Sequence, residues 1–258
     1  MRFSNNKFRG FSLAETLITL GIIGIVAALT IPNLITEHSK RRTVTQLKKA
    51  YAEISQALKL AEAEYGTPDG WISNNSDTFE EGSLDFINTY LEPNIKMAQK
   101  CTTDNSKCWG DKYKTLAGDL DTNANSHAAN YLSFVSLSGY SVKLWAGGAA
   151  TTSAYNRHYQ FFIDVNGKKS PNIIGKDTFQ FTYVPLQNGG WFLIPAGLYG
   201  EDYCFKDGGG IAQKLTREDF LSDPKYGCSK EVKGRQGSLL CTALIINDGW
   251  KISKDYPW

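Results

Sequence analysis

Residues 11–35 form the only long apolar run in this chain, and this run limits the possible folds more than any other feature. As a helix rising 1.5 Å per residue it would reach roughly 37 Å, enough to cross the hydrocarbon core of a bilayer. The run nevertheless contains Glu15 near its start. A carboxylate at membrane depth is costly unless another group pairs with it. The sequence therefore predicts a membrane-spanning helix whose acid needs a partner.

The ten residues in front of the run are polar and basic. They read MRFSNNKFRG and carry Arg2, Lys7 and Arg9 but no acid. A secretory signal peptide would instead place a small-residue cleavage site after an apolar region of about 7–15 residues. Here Gly10 precedes the apolar run, so cleavage after Gly10 would leave the run on the mature protein.

The junction of these two segments resembles a known signal. The sequence GFSLAE at residues 10–15, followed by an apolar run with Gly21, Gly24 and Pro32, is similar to the type III signal of type IV prepilins and type II secretion pseudopilins. The resemblance implies a pilin-like subunit, without a particular role within that family.

The resemblance also implies roles for individual residues. A prepilin peptidase is expected to cut after Gly10 and to methylate the new amino terminus on Phe11. Glu15 is expected to attract the amino terminus of a neighbouring subunit, because opposite charges attract strongly in a low-dielectric helix bundle. Pro32 is expected to bend the assembling helix. The implied partners are the prepilin peptidase, other pilin or pseudopilin subunits, the inner-membrane assembly machinery and, before assembly, the membrane.

The basic residues after the run favour the opposite membrane orientation. Five lie at positions 40–42, 48 and 49, against three in the leader, and an excess of basic residues normally marks the cytoplasmic side. The resemblance instead implies a single-pass inner-membrane protein with an extracytoplasmic head, later carried on a filament. An ordinary signal anchor with an incidental glutamate is the alternative.

The helix is expected to continue past the membrane as an amphipathic half. Apolar side chains recur at spacings of three and four, which indicates one buried face; they are Val44, Leu47, Tyr51, Ile54, Leu58 and Ala61. Gly66 and Pro68 then end the helix. The predicted domains are a leader at 1–10, a transmembrane and assembly helix at 11–35, the amphipathic half of the same helix at 36–65, and a globular head at 66–258.

The head is predicted to be α+β, which gives a pilin-like fold with one long helix packed on an antiparallel sheet. Short runs of aromatic and β-branched residues between positions 131 and 197 are separated by Ser-Gly, Asn-Gly and Asn-Gly-Gly turns, a pattern typical of antiparallel strands. Such a sheet can bury one face against the amphipathic half of the helix.

The segments around these strands carry weaker patterns. Thr216 is expected to cap a short helix, and Ser76 or Asp77 is expected to cap another that reaches Leu91. Two further strands are expected to close the fold, at residues 238–248 and 249–252. The segment at 119–127, rich in Asp and Asn, is interpreted as an exposed loop or turn.

Five cysteines have to be placed: Cys101, Cys108, Cys204, Cys228 and Cys241. An extracytoplasmic head permits disulfides. The favoured pairs are Cys101–Cys108 and Cys228–Cys241, which leaves Cys204 free, although pairing of Cys204 with Cys228 or Cys241 stays open. There is no CxxC motif and no histidine near a cysteine, so the spacing does not favour zinc. No metal and no cofactor is predicted.

The segment FFIDVNGKKSPNIIGKDTF allows two interpretations. Asp164, Asn166 and Asp177 imitate part of a calcium loop, and calcium loops occur in some pseudopilin heads. Two lysines occupy the middle of the segment, however, and the terminal glutamate of an EF-hand is missing. The favoured interpretation is a hairpin turn in which Asp177 stabilises a bend of the backbone; calcium binding stays open.

The sequence carries no pattern typical of catalysis. It has no GxSxG, HExxH or P-loop motif, and His38, His127 and His158 stand apart from one another. The chain is therefore not expected to be an enzyme. It has 28 basic and 26 acidic residues, and three of the basic ones belong to the leader, so nucleic acid is not favoured as a partner, although a local basic patch is left open.

Two functional hypotheses follow from these patterns. The first is a structural subunit of a type IV pilus or type II secretion pseudopilus. The second is a minor pilin, or an anchored extracytoplasmic binding protein, whose head recognises DNA, a surface or a secreted substrate. The sequence does not distinguish a pilus from a secretion pseudopilus or a DNA-uptake fibre.

Overall fold

A computed structural model describes residues 10, 12–71, 79–102, 104–125, 131–147, 158–186, 189–198, 204–206, 212–234 and 236–258. The chain divides into two compact units, residues 1–42 and residues 43–258. Helix α1, Leu13–Tyr65, begins in the first unit and ends in the second.

The described part of the first unit contains the apolar beginning of α1, up to Ile35, and the polar residues 36–42 of the same helix. Twelve large apolar side chains between Leu13 and Ile35 are 51–80% exposed. Pro32 lies inside the helix, where it has no N–H to donate to the preceding turn. The hydroxyl of Thr36 donates to the carbonyl oxygen of Pro32 at 2.9 Å. This part of α1 therefore presents apolar side chains on all sides.

The second unit begins with the amphipathic part of α1. A stripe of small and apolar side chains is buried there, consisting of Thr43, Leu47, Ala50, Ile54, Ala57, Leu58 and Ala61. Val44 and Tyr51 are partly buried beside it. The helix ends at Tyr65, and Gly66 follows with a φ of +79°. Glycine adopts this left-handed conformation without steric cost, which confirms the predicted end of the helix.

Six antiparallel strands follow in a single sheet, and their spatial order is their order along the chain. The strands are β1 (Met97–Cys101), β2 (Tyr131–Ser136), β3 (Ser141–Gly147), β4 (His158–Asp164), β5 (Thr178–Pro185) and β6 (Trp191–Pro195). Strands β2 to β6 lie where the alternating pattern predicts them. Strand β1 lies in a segment for which no strand is predicted.

One face of the sheet packs on α1. Leu144, Phe161 and Phe181 lie opposite one another on β3, β4 and β5, and all three are fully buried. The ring of Tyr51 on α1 packs on Phe181 with its centroid 5.4 Å away. Burial of each such side chain contributes about 1.5–3 kcal/mol. The predicted α+β architecture, a long helix on an antiparallel sheet, is confirmed.

Two carboxylates of α1 fix the helix to the sheet. Glu53 accepts hydrogen bonds from the hydroxyls of Ser138 at 2.8 Å and Tyr140 at 2.9 Å. Glu62 accepts from the hydroxyl of Tyr183. Burial, together with the neighbouring carboxylates, raises the pKa of both phenols. The phenols therefore remain donors, and they hold the helix in one rotational position over the strands.

Short elements complete the head. They are α2 (Phe79–Phe86), a single π-helical turn (Ile87–Leu91), β7 (Cys204–Lys206) paired with β8 (Ala212–Lys214), α3 (Arg217–Ser222) and α4 (Cys241–Asn247). Thr216 caps α3, and its hydroxyl accepts from the N–H of Asp219 at 3.3 Å, as predicted. The predicted caps Ser76 and Asp77 lie outside the described residues.

The prediction of two closing strands after residue 237 is wrong. The segment forms α4, and residues 241–245 are all buried, at 0–2% exposed. A short apolar run that is buried all round fits a helix as well as a strand, so periodicity could not separate the two. Gly249, at φ +72°, donates its N–H to the carbonyl of Ile246. It ends a helix here, instead of turning a hairpin.

Two disulfides lie in the head. Cys101 bonds to Cys108, which connects the end of β1 to the loop after it, and Cys228 bonds to Cys241, which joins the segment after α3 to the start of α4. These are the two favoured pairings. Cys204 begins β7.

Candidate functional site

The beginning of α1 holds the residues that the resemblance singles out. Gly10 is exposed, and Phe11 lies outside the described residues. The N–H of Ser12 donates to the carboxylate of Glu15 at 2.8 Å, and the N–H of Glu15 donates to the hydroxyl of Ser12 at 3.2 Å. This reciprocal arrangement is a capping box. It holds the carboxylate at the N-terminal end of the helix, close to the junction at Gly10.

Among the described residues, the apolar side chains that follow Glu15 in α1 are exposed. An 18-residue apolar window of α1 is 0% buried, and by length and composition it is sufficient to cross a membrane. Soluble proteins rarely expose apolar patches larger than a few hundred Å². The beginning of α1 therefore needs lipid or other chains around it, and Pro32 lies within this surface.

A second group of residues lies at the hairpin between β4 and β5. Asp164 is fully buried and accepts hydrogen bonds from the hydroxyl of Tyr113 at 2.8 Å and from the N–H of Asn166 at 3.1 Å. Asp177 accepts from the backbone N–H groups of Asn172 at 2.9 Å and Ile173 at 2.6 Å. Asp177 therefore stabilises a backbone bend, as the turn interpretation predicts.

The structure does bring Asp164, Asn166 and Asp177 together. The side-chain amide of Asn166 lies 3.5 Å from Asp177. Burial, and then the charge of Asp177, raises the pKa of Asp164 to about 8. Among the residues that the structure describes, no group of three or more His, Cys, Asp or Glu side chains is placed to hold a metal ion.

A polar pocket lies on the face of the sheet that points away from α1. Its polar side chains on β4 and β5, Gln160, Gln180 and Thr182, alternate with the core side chains of Phe161 and Phe181, so they belong to the opposite face. The pocket has a volume of about 210 Å³. Its polar lining comes from four segments of the chain: Asp121, Asn123, Gln160, Gln180, Thr182 and Gln236.

A buried lysine supports the wall of this pocket. Lys143 on β3 is fully buried, and its ammonium donates to the carbonyl oxygens of Asn123 at 2.7 Å and Ala124 at 2.9 Å. The same group lies 4.3 Å from the ring centroid of Tyr131, a cation–π distance. Burial lowers the pKa of Lys143 to about 7, although Asp121 favours its charged form.

The described part of residues 119–127 contains a turn, one of the two predicted forms, but only some of its residues, such as Leu120 and Thr122, are exposed. Asp121 is 3% exposed and Ala124 is fully buried. The carboxylate of Asp121 accepts the N–H of Ala124 at 2.7 Å, and burial raises its pKa. A composition rich in Asp and Asn indicates a turn, but it does not show that Lys143 holds the turn against the sheet.

Sequence reasoning missed this pocket, although a signal was present. Gln160, Gln180 and Thr182 alternate with aromatic residues in two neighbouring strands. Such alternation is normally attributed to a solvated face. Only the fold shows that this face is covered in part by other segments, which contribute Asp121, Asn123, Tyr226, Gln236 and Leu239 to the lining of a pocket.

Comparison with known proteins agrees with the beginning of the chain and extends over the rest of it. The model of the prokaryotic N-terminal methylation motif matches residues 5–31. Together with the long apolar helix and the six-stranded sheet, this match defines a type IV pilin-like protein with a prepilin-type signal, which implies processing by a prepilin peptidase and assembly with other pilins.

A second family model matches most of the chain and identifies the family to which it belongs. The chain belongs to the family described as "Family of unknown function (DUF6613)", whose model matches residues 33–258. No curated protein matches the chain. No solved structure matches it either.

Proposed function

We propose that this chain is a structural subunit of a type IV pilus or a type II secretion pseudopilus. It is cleaved after Gly10, methylated on Phe11 and assembled through the first part of α1. Before assembly it resides in the inner membrane as a single-pass protein with its head outside the cytoplasm. The observation that carries the proposal is the uncovered apolar beginning of α1 with Glu15 at its end, within the region that the methylation motif matches.

The assembly mechanism is the exchange of one apolar environment for another. In the membrane, lipid covers the exposed side chains between Leu13 and Ile35. In a filament, the same side chains pack against the helices of other subunits, an open heterologous assembly. Glu15 pairs with the amino terminus of a neighbour, and this pairing offsets the cost of burying both charges.

Two measurements on the protein in its own host test this proposal. Intact-mass and N-terminal peptide mass spectrometry should give a mature chain that begins with methylated Phe11. Filaments sheared from the cells should disappear in Glu15→Ala, while the leader is still removed, because Glu15 lies beyond the cleavage junction. The matched control is Glu37→Ala, since Glu37 lies on the same helix and forms an exposed ion pair with Lys40 at 3.0 Å.

Two outcomes contradict the proposal. One is a chain that keeps Met1 or is cut beyond the apolar run. The other is Glu15→Ala filament yield equal to that of Glu37→Ala and the wild type, which would leave the glutamate without a role in assembly.

A further inference from the structure

We propose that the pocket on the outer face of the sheet binds a neutral, polyhydroxylated ligand of the size of one sugar ring. The inference concerns the head alone and is tested without filaments. Its failure would therefore leave the assembly proposal unchanged.

The outer face of β4 and β5 carries polar side chains, although a covered face of a sheet normally carries apolar ones. Gln160 on β4 lies directly opposite Thr182 on β5, and Gln180 lies two residues before Thr182 on the same face. Gln180 is 9% exposed and Thr182 is 5% exposed. Burial of polar groups costs free energy unless they are hydrogen-bonded. Gln180 donates to the carboxylate of Asp121 within the cluster. The donors and acceptors of the cluster line a cavity, an arrangement typical of a site that binds a polar ligand.

Together, the polar side chains of the lining can both donate and accept hydrogen bonds. The amides of Gln160, Gln180 and Gln236 each combine donors with an acceptor, and the hydroxyl of Thr182 does both. The carboxylate of Asp121 adds an acceptor. A sugar hydroxyl also donates and accepts at one atom, so neighbouring hydroxyls of a ring match a lining that mixes both functions.

The charged groups at the pocket disfavour an anionic ligand. Asp121 lines the pocket and disfavours a phosphate or carboxylate ligand. The buried side chain of Lys143 directs its amino group to the carbonyl oxygens of Asn123 and Ala124. Those two bonds engage the amino group in the wall of the pocket, which leaves an anion little to bind there. The lining therefore favours a ligand without net charge.

The volume of the pocket and the apolar side chains at its rim suit a single sugar ring. The volume of about 210 Å³ is smaller than the roughly 300–1,000 Å³ of sites for drug-sized ligands, which suits a single ring. Tyr226 and Leu239 are half-buried at the pocket. An aromatic ring and an aliphatic side chain supply apolar area for the C–H face of a sugar, while the amides take its hydroxyls.

Saturation-transfer NMR on the mature full-length chain tests the inference. The chain is held in a detergent without a sugar headgroup, and the probes are glucose, galactose, mannose, N-acetylglucosamine and glucose 6-phosphate. We expect saturation transfer to at least one neutral sugar, and weaker binding of glucose 6-phosphate than of glucose.

Three variants assign the binding to the pocket. Thr182→Val keeps the β-branched shape and removes the hydroxyl, and we expect it to weaken sugar binding about fivefold, the effect of one lost hydrogen bond. Gln236→Ala tests the pocket from the covering segment, away from the strands. Gln99→Ala is the matched control, because Gln99 is an exposed glutamine of the same sheet on β1, and it should bind like the wild type.

The inference is overturned if no neutral sugar receives saturation, if Thr182→Val and Gln236→Ala both bind like Gln99→Ala, or if glucose 6-phosphate binds more tightly than glucose. Far-ultraviolet circular dichroism and an intact mass with both disulfides formed establish that each variant is folded. A variant that fails this check is replaced by the other of the pair.

Discussion

Ser12 and Glu15 satisfy each other at the beginning of α1, each donating its backbone N–H to the other's side chain, at 2.8 and 3.2 Å. We propose that the carboxylate of Glu15 pairs with the amino terminus of a neighbouring subunit. This carboxylate already accepts a hydrogen bond within its own chain. Subunit assembly must share this hydrogen bond or exchange it. The strength of the capping box is therefore linked to how readily Glu15 accepts a neighbour.

Replacing Ser12 by alanine should loosen the first turn of α1. The N–H of Glu15 loses its acceptor, and removal of such a cap typically costs about 1 kcal/mol. We expect amide hydrogen exchange at Glu15 to become about fivefold faster in the mature chain in detergent micelles. Ser12→Thr keeps a hydroxyl at this position and should exchange like the wild type; equal protection in all three proteins would contradict the capping role.

The unfolding free energy of the head should depend on pH through Lys143. Burial lowers the pKa of this lysine to about 7 from 10.5. Between these values the unfolded chain binds a proton that the folded chain has released, so stability rises with pH, by at most about 1.4 kcal/mol per pH unit. Lys143→Met removes this contribution. The wild type should therefore gain stability relative to the variant from pH 7 to pH 9.

The unfolding free energy of the wild type has to be compared with that of Lys143→Met at each pH, because a second group, Asp164, titrates in the same pH range. Asp164, with its pKa raised to about 8, contributes stability that is lost as pH rises through that value, which is the opposite sign. Asp164 is present in both proteins, and its contribution cancels in the difference. Chemical denaturation curves at pH 7, 8 and 9 give the required free energies, and parallel pH profiles would rule out the assigned role of Lys143.

Gly175 should be the more sensitive of two glycines that share a backbone conformation. Its φ is +90°, and a Cβ there would lie 2.7 Å from the sulfur of Cys241. Gly118 has a φ of +94° and nothing within 4 Å of a Cβ. We expect Gly175→Ala to lower the unfolding free energy by about 3–5 kcal/mol, through strain and overpacking, and Gly118→Ala by only about 1–2 kcal/mol, through strain.

Denaturation in guanidinium, followed by tryptophan fluorescence without reductant, measures both glycine variants. The sulfur of Cys241 is held by its bond to Cys228, so it cannot move aside easily. Losses of the same size in Gly175→Ala and Gly118→Ala would show that the close approach to the disulfide costs nothing.

The sequence was informative where one local pattern decided the structure. The stripe that includes Leu47, Ile54 and Leu58 specifies a helix with a buried face, because its spacing matches the helical repeat. Gly66 specifies the end of that helix, because its backbone conformation favours glycine. The alternation of apolar and polar residues predicted β2 to β6, because successive side chains of a strand point to opposite faces of the sheet.

The sequence was uninformative where a segment depends on residues far away in the chain. The burial of Asp121 follows from Lys143, which holds the carbonyl of Asn123 at the sheet. The helix at Cys241–Asn247 follows from burial on all sides, which overrides the strand preference of its β-branched residues. The pocket needs the buried turn at Asp121 together with Gln236 and Leu239, which lie far from it in the chain, so neither its existence nor its lining could be read from local patterns.

The two disulfides set an order of events for such a subunit. Both lie after α1 in the chain, and Cys228 and Cys241 are buried in the same core as the sheet. Thiols persist in the cytoplasm and are oxidised outside it. In the location that we propose, the chain is anchored first and its head is completed only after export. The supply of oxidant in the cell envelope then governs how many anchored subunits become ready to polymerise.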